Sequence, residues 1–380
     1  MKRREFVNAA MAPAIAAIAG MAKPVRAVAQ QTGFTFYSPL AEEWFRGGKY
    51  FEWTSTTRNN KQRKVKVFWR TFGDRSRPAL VILHGFPNSS LDFAELVPLL
   101  EKDYFVAVMD FPGFGFSDKP QDGYSYMLED DSRLADYFVR EVLGLTRFNL
   151  YTHDRGVSVG LAFLGHYLEN ERRPYEILYH FLSNSGMFLP LANLAPGQTA
   201  LLDPVKGPAL IALMRARARV TTGSPHQVGD ADIQAFNDGT GARLYVGKYL
   251  LERAANEGRW LASLPKSPVP TALLWGLTDT VNPPRIANHV WSAYLNDRQV
   301  QSSYWWLPGA GHYPQRDQPE AVAEVVRACL DGKVPKREAE SAFMSSRSNQ
   351  RPTSPVYVGH SRIEPVSFPG AVKYDPAGYP

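Results

Sequence analysis

The rhythm of apolar positions along the chain changes near residue 73. Before it, residues 50–57 and 64–72 alternate polar and apolar side chains, which predicts an antiparallel pair of strands. After it, residues 79–83, 105–109, 148–151, 177–182, 271–275 and 303–307 are short, mostly apolar runs rich in branched and aromatic side chains. Stretches with helical spacing separate most of them, at 125–143, 156–168, 284–295 and 319–330. Strand alternating with helix predicts a mostly parallel sheet of eight strands, covered by helices on both faces. In such a sheet the reactive residues are expected at the carboxyl ends of the strands.

One interval breaks the alternation. Nearly ninety residues separate the run ending near Ser183 from the one starting at Thr271, far more than a connection needs. Helical pieces at 208–220, 231–238 and 244–260 suggest an inserted helical lid over residues 187–264. The α/β core then comprises residues 30–186 and 265–332. Residues 333–380 lose periodicity and gain Ser, Pro, Arg and Gly, which predicts a disordered or loosely wrapped tail.

The amino end reads as an address. Lys2, Arg3 and Arg4 precede an Ala-rich apolar stretch over 9–22, too short to span a bilayer, and Ala27-Val28-Ala29 supplies a small-x-small cleavage site. Arg3-Arg4-Glu5-Phe6 resembles a twin-arginine export signal, so residues 1–29 are read as a signal peptide and the protein as exported, periplasmic or secreted. No other segment suits a membrane anchor.

Charge changes meaning once the ends are set aside. The formal charge is +6, but without residues 1–29 the chain carries 38 Lys/Arg against 36 Asp/Glu. The basic excess belongs to the two ends and gives no argument for a nucleic-acid partner. Apolar content of 44% is that of a chain with a substantial core. Cys329 is the single cysteine, so no intrachain disulfide can form, and no cysteine–histidine spacing points to a metal.

The chemistry lies where strands end. Leu150-Tyr151-Thr152-His153-Asp154-Arg155-Gly156 runs from strand into helix, with a polar residue at the corner and small residues two positions to either side. That is the pattern of a nucleophile elbow, with Asp154 in place of the usual serine. A helix-capping role would account for Asp154 alone, but not for its partners. In Leu83-His84-Gly85-Phe86-Pro87 a glycine precedes the N–H of Phe86, which with the N–H of Arg155 would make a two-donor oxyanion hole. Asp279 follows the next-to-last apolar run, and His312, in Pro308-Gly309-Ala310-Gly311-His312-Tyr313, follows the last. Nucleophile, acid and histidine thus occur in that order.

Residues 50–332 resemble the epoxide hydrolase and haloalkane dehalogenase branch of the α/β-hydrolase fold superfamily. Within that branch the chain resembles the mesoderm-specific transcript protein group. The motifs that carry this run from Asp110 to Pro120 (DFPGFGFSDKP), Leu182 to Gly186 (LSNSG), Asp279 to Pro283 (DTVNP) and Gly311 to Gln315 (GHYPQ). The resemblance implies an Asp154 nucleophile, a covalent ester, and hydrolysis by water activated by His312 and Asp279, with no cofactor or metal. The expected partner is a small apolar substrate; the oligomeric state is not legible.

For the leaving group, epoxide opening leads, because Tyr245 and Tyr249, four apart, could serve as lid acids. Haloalkane or haloacid dehalogenation is the alternative. Arg155 stands where related haloalkane dehalogenases carry a halide-binding Trp, and Phe86 where some carry Asn. Fluoroacetate dehalogenases share Asp-Arg-Gly but have a second arginine where this chain has Ser158. A non-catalytic binding protein with the same fold is a further alternative, marked by a closed pocket at Asp154. A serine hydrolase lacks its Gly-x-Ser-x-Gly signature here.

Overall fold

A computed structural model describes residues 26–27, 33–340, 343 and 354–360. One sheet organises them. Its strands are β1 (Arg26–Ala27), β2 (Lys49–Thr54), β3 (Lys64–Phe72), β4 (Ala79–Leu83), β5 (Phe105–Met109), β6 (Arg147–His153), β7 (Glu176–Ser183), β8 (Thr271–Gly276), β9 (Ser302–Leu307) and β10 (Val356–Tyr357). Their order across the sheet is β1-β2-β3-β5-β4-β6-β7-β8-β9-β10. From β5 to β9 every neighbouring pair is parallel, whereas β1, β2 and β3 join antiparallel at one edge and β10 at the other. Eight strands of five or more residues thus form an α/β-hydrolase sheet, with a two-residue strand at each edge.

Both faces are buried, which is why the parallel strands read as unbroken apolar runs. In β4, Ala79, Val81 and Leu83 pack into one core, and Leu80 and Ile82 into the other. Residues in β5 divide the same way, with Phe105, Ala107 and Met109 against Val106 and Val108. Burying each large side chain stabilises the sheet by about 1.5–3 kcal/mol.

The helices, in chain order, are α1 (Pro39–Arg46), α2 (Val97–Leu100), α3 (Leu128–Tyr137), α4 (Arg155–Glu169), α5 (Pro196–Ala200), α6 (Lys206–Ala216), α7 (Pro225–Ala235), α8 (Gly239–Val246), α9 (Tyr249–Leu261), α10 (Pro284–Val290), α11 (Pro314–Asp317) and α12 (Pro319–Leu330). Helices α1, α2 and α12 cover one face; α3, α4 and α10 cover the other. Helices α5–α9 all lie between β7 and β8, and α9 packs on α4. None of the described helices is long and apolar enough to cross a membrane.

Two expectations meet a different structure. Tyr245 and Tyr249 do not share one helix, because Gly247 and Lys248 form a turn between α8 and α9. Within the stretch read as a loose tail, Val356 and Tyr357 pair with Trp306 and Trp305, and the Tyr357 ring lies 4.9 Å from that of Trp305. Two residues are too short a run for periodicity to register. The signal read in residues 1–29 falls outside the described residues, apart from the backbone of 26–27.

Candidate active site

Asp154 occupies the corner between β6 and α4 with φ +50° and ψ −116°, a left-handed conformation that a non-glycine residue adopts at a cost of about 1–3 kcal/mol. Its neighbours hold it there. The Asp154 N–H donates to the Ser183 carbonyl at 3.1 Å, and the Ser185 hydroxyl donates to the Asp154 carbonyl at 2.7 Å. Gly156 is required for a second reason: a Cβ there would strike the Leu83 carbonyl and come within 2.6 Å of the His84 carbonyl. Helix α4 therefore starts against the end of β4, and the loop after β4 reaches the carboxylate.

That contact is made. The Phe86 N–H donates to Asp154 Oδ1 at 2.8 Å. The second expected donor, the N–H of Arg155, makes no hydrogen bond to the carboxylate among the described residues, so one arm of the proposed hole is in place. Asp154 Oδ2 lies 3.8 Å from His312 Nε2 and accepts a hydrogen bond from Asn282 Nδ2 at 3.2 Å. On the far side of the ring, His312 Nδ1 is 2.9 Å from Asp279 Oδ2. The structure therefore brings Asp154, His312 and Asp279 into one line.

Asp279 is itself held on several sides. Its Oδ1 accepts the N–H groups of Val281 and Asn282, at 2.8 and 2.9 Å, and its Oδ2 accepts Asn184 Nδ2 at 2.9 Å. The Asn184 side-chain oxygen accepts the Gly276 N–H at 2.8 Å, which fixes the amide's orientation. These bonds fix the carboxylate against His312 Nδ1.

Electrostatics follow from this packing. Burial alone would raise the Asp154 carboxyl, but the charges of His312 and Arg253 and the Phe86 N–H together hold it below the usual carboxylate range. Burial alone would lower His312, but the Asp279 hydrogen bond and the charges of Asp154 and Asp279 hold it above its ordinary value. The two form an ion pair that is not hydrogen-bonded. By contrast, burial pushes His153 down to about 4, so its neutral ring donates Nε2–H to the His312 carbonyl at 2.7 Å and positions that loop. Arg316, four residues on, pairs with Asp92 and Asp230 and so ties the same loop to the turn at Ser90–Phe93 and to α7.

The two tyrosines part company. Tyr249 is fully buried, with its ring 5.4 Å from that of Phe86. Tyr245, on the preceding helix, is half-buried and faces Arg215, itself paired with Asp238 away from Asp154. The Arg155 side chain is buried too. It pairs with Asp131 and is covered by the rings of Phe111, Phe114 and Tyr249 at 5.1–5.5 Å.

Two residues escaped the sequence reading. Asn282 lies inside the turn after Asp279, with nothing but its place in that motif to mark it. Arg253 is buried on α9 and donates Nε–H to Ser158 at 2.9 Å. An arginine on an amphipathic helix reads as a solvent-facing residue, so nothing in its own segment signals it. No group of three or more His, Cys, Asp or Glu side chains among the described residues is placed to hold a metal ion.

Comparison with known proteins adds to this geometry. Residues 78–175 match the alpha/beta hydrolase fold family. The chain is 33% identical to "Putative hydrolase LipZ" of Mycobacterium tuberculosis over 305 residues, 77% of this chain and 99% of that protein. It is 28% identical to the human mesoderm-specific transcript homolog protein over 263 residues, 65% of this chain and 75% of that one. With haloalkane dehalogenase 2 of Mycobacterium bovis it shares 25% identity over 260 residues, 66% and 86% of the two chains.

Proposed function

The chain belongs to the α/β-hydrolase fold family, and from that premise we propose that it hydrolyses its substrate through the carboxylate of Asp154. One observation carries the reading. At the strained corner where this fold presents its nucleophile stands a carboxylate, with one oxygen on a backbone N–H and the other facing a histidine. The Ser185 hydroxyl donates to the Asp154 carbonyl, and the Ser158 hydroxyl accepts from Arg253.

In this reading Asp154 Oδ2 attacks an sp³ carbon. A carbon–oxygen bond of an epoxide, or a carbon–halogen bond, breaks with its electron pair on the departing atom, and an ester forms. Esterification removes the Asp154 charge, one of those that keep the proton on His312. The imidazolium then gives up that proton, to the phenolate left on Tyr249 when an epoxide opens or to solvent with a departing halide, and becomes a base. It takes a proton from water at Nε2, and the resulting hydroxide attacks Cγ of Asp154. The Phe86 N–H stabilises the oxyanion at Oδ1. Collapse releases the alcohol, which takes its proton from His312, and leaves an oxygen from water in Asp154.

Epoxide opening is favoured by Tyr249, a buried phenol beside Phe86 that can donate to a developing alkoxide. Dehalogenation is the second reading, favoured by the likeness to haloalkane dehalogenase 2. The same experiment tests both. His312→Gln protein should react with one equivalent of substrate and stop, with the added mass on Asp154. An epoxide adds its whole mass and a haloalkane its mass less the halide. Asp154→Asn should prevent even that first event. An adduct on a serine would refute the proposal, and no adduct from either class would favour a non-catalytic binding protein. Export belongs to the same proposal: protein recovered from its native host should begin at or near Gln30.

A further inference from the structure

Helix α6, in the lid, is apolar on both of its long faces. Gly207, Leu210, Ile211 and Met214 face inward, and a Cβ on Gly207 would stand 2.8 Å from Leu244 of α8. On the other side Val205, just ahead of the first turn, and Pro208, Ala209, Ala212, Leu213 and Ala216 are all exposed. Their spacing of three and four makes them one helical stripe. A helix that meets water ordinarily carries polar residues there, as α12 does, whose exposed positions are Glu320 and Glu324. The surplus is local. Six large apolar side chains are exposed among the described residues, and four of them, Val205, Leu213, Val220 and Leu251, belong to the lid. Val205 is 77% exposed and Leu213 54%.

Charge is distributed just as unevenly. From Pro204 to Gly229 the chain holds Lys206, Arg215, Arg217 and Arg219 and neither Asp nor Glu. Arg215 is paired with Asp238, and Arg219 lies 3.5 Å from Asp232. Lys206 and Arg217, exposed at the two ends of α6, form no ion pair among the described residues. Asp203, the acid just ahead of the segment, accepts the backbone N–H groups of Val205 and Lys206 and so caps the helix start.

We propose that this face of the lid docks on an anionic lipid bilayer. The stripe enters the boundary between headgroups and acyl chains, and Lys206 and Arg217 meet lipid phosphate at its two ends. An eleven-residue helix is about 16 Å long, which suits lying in that boundary and is too short to cross it. A second copy of the chain fits less well. A two-fold contact between α6 helices would set Lys206 and Arg217 against the same cations, with no acid in the segment to answer them. The proposal does not depend on the Asp154 chemistry.

The test measures partition and then locates it. Full-length protein is co-sedimented with vesicles of phosphatidylcholine alone, and of equal parts phosphatidylcholine and phosphatidylglycerol. It should bind the anionic vesicles at least about tenfold more strongly, and the preference should shrink as salt rises. K206Q and R217Q should each weaken that binding about fivefold, and L213S about tenfold. Residues 1–29 are also basic, so a second reading is taken at α6 itself. The single native cysteine, Cys329, is buried, so A209C accepts one environment-sensitive dye. Its emission should shift to the blue with anionic vesicles. The same dye on R172C, exposed ahead of β7 at the opposite end of the sheet from the lid, should not change. Equal partition onto both vesicles, binding that none of the three substitutions alters, or a dye at 209 indifferent to lipid overturns the proposal. A dimer that L213S dissociates overturns it in favour of a second copy. Polyglutamate bound as tightly as the anionic vesicles, with the same response to the substitutions, overturns it in favour of an acidic protein.

Discussion

Replacing Asp154 with Asn should, besides stopping the chemistry, change the titration of His312. The swap keeps the shape of the side chain and deletes one unit charge 3.8 Å from Nε2. At an effective dielectric of about 20, two unit charges at that distance attract by about 4 kcal/mol. Their side chains are 6% and 14% exposed, so salt screens the pair only weakly. Asp279 keeps its bond to Nδ1 in the variant, and burial continues to oppose protonation. His312 should therefore titrate at lower pH in the Asn protein, followed by NMR of its imidazole and assigned through His312→Gln. The linked stability has a definite sign. A raised histidine stabilises the fold fully below about pH 6.5, and this is lost as pH rises through the raised value; a depressed carboxylate stabilises it above about pH 3.9, and this is lost as pH falls through the depressed value. The pH-dependent part of the stability difference between the two proteins should thus be largest between about pH 4 and 6.5 and fade above it. If His312 titrated at the same pH in both proteins, the two residues would not be coupled. The idea that ester formation turns His312 into a base would then fail, since Asn imitates the uncharged ester.

Three further outcomes follow from the geometry. Gly156→Ala should lower stability by about 1–3 kcal/mol in thermal or denaturant unfolding and reduce turnover as well, because the new methyl meets backbone carbonyls that cannot swing aside. Asp279→Asn should leave the fold intact but lower turnover by about 10⁴-fold, while still permitting the first alkylation in a His312→Gln background. Tyr249→Phe should slow epoxide opening by about 10²-fold in single-turnover assays, whereas Tyr245→Phe should leave it unchanged; equal effects would remove Tyr249 from the leaving-group role.

Residues whose role depends on local backbone were legible in the sequence. Asp154 stands between Thr152 and Gly156 at the end of an apolar run, and His312 follows Gly309 and Gly311 at the end of another. Steric need for small neighbours wrote those positions into the chain. Arg253 was not legible, because what buries it, Ser158 among them, lies as far as 95 residues away. Asn282 contributes its N–H to one carboxylate and its amide to another, a division visible only once the turn is folded. Tyr245 was misplaced for a different reason. Spacing of four implies a shared face only while the helix continues, and Gly247 and Lys248 interrupt it. At the sheet edge, β10 pairs two residues with β9, and Tyr357 packs on Trp305 and Phe343 and donates to Glu340, contacts too scattered along the chain to leave a pattern.

The amide of Asn184 has a bearing on how such a site can change over generations. It touches Asp279 Oδ2 from the end of β7, one strand away, close enough that an acid on that strand would compete for the same ground. An ancestor or descendant that moved its acid between these two strands would need both Asn184→Asp and Asp279→Asn. Taken in one order, the intermediate sets two carboxylates against each other, and one must hold a proton to be tolerated. Taken in the other, the intermediate gives the histidine two amides and no charge. Either single step passes through a crippled enzyme, so the present arrangement is insulated from drift by the contact that steadies it.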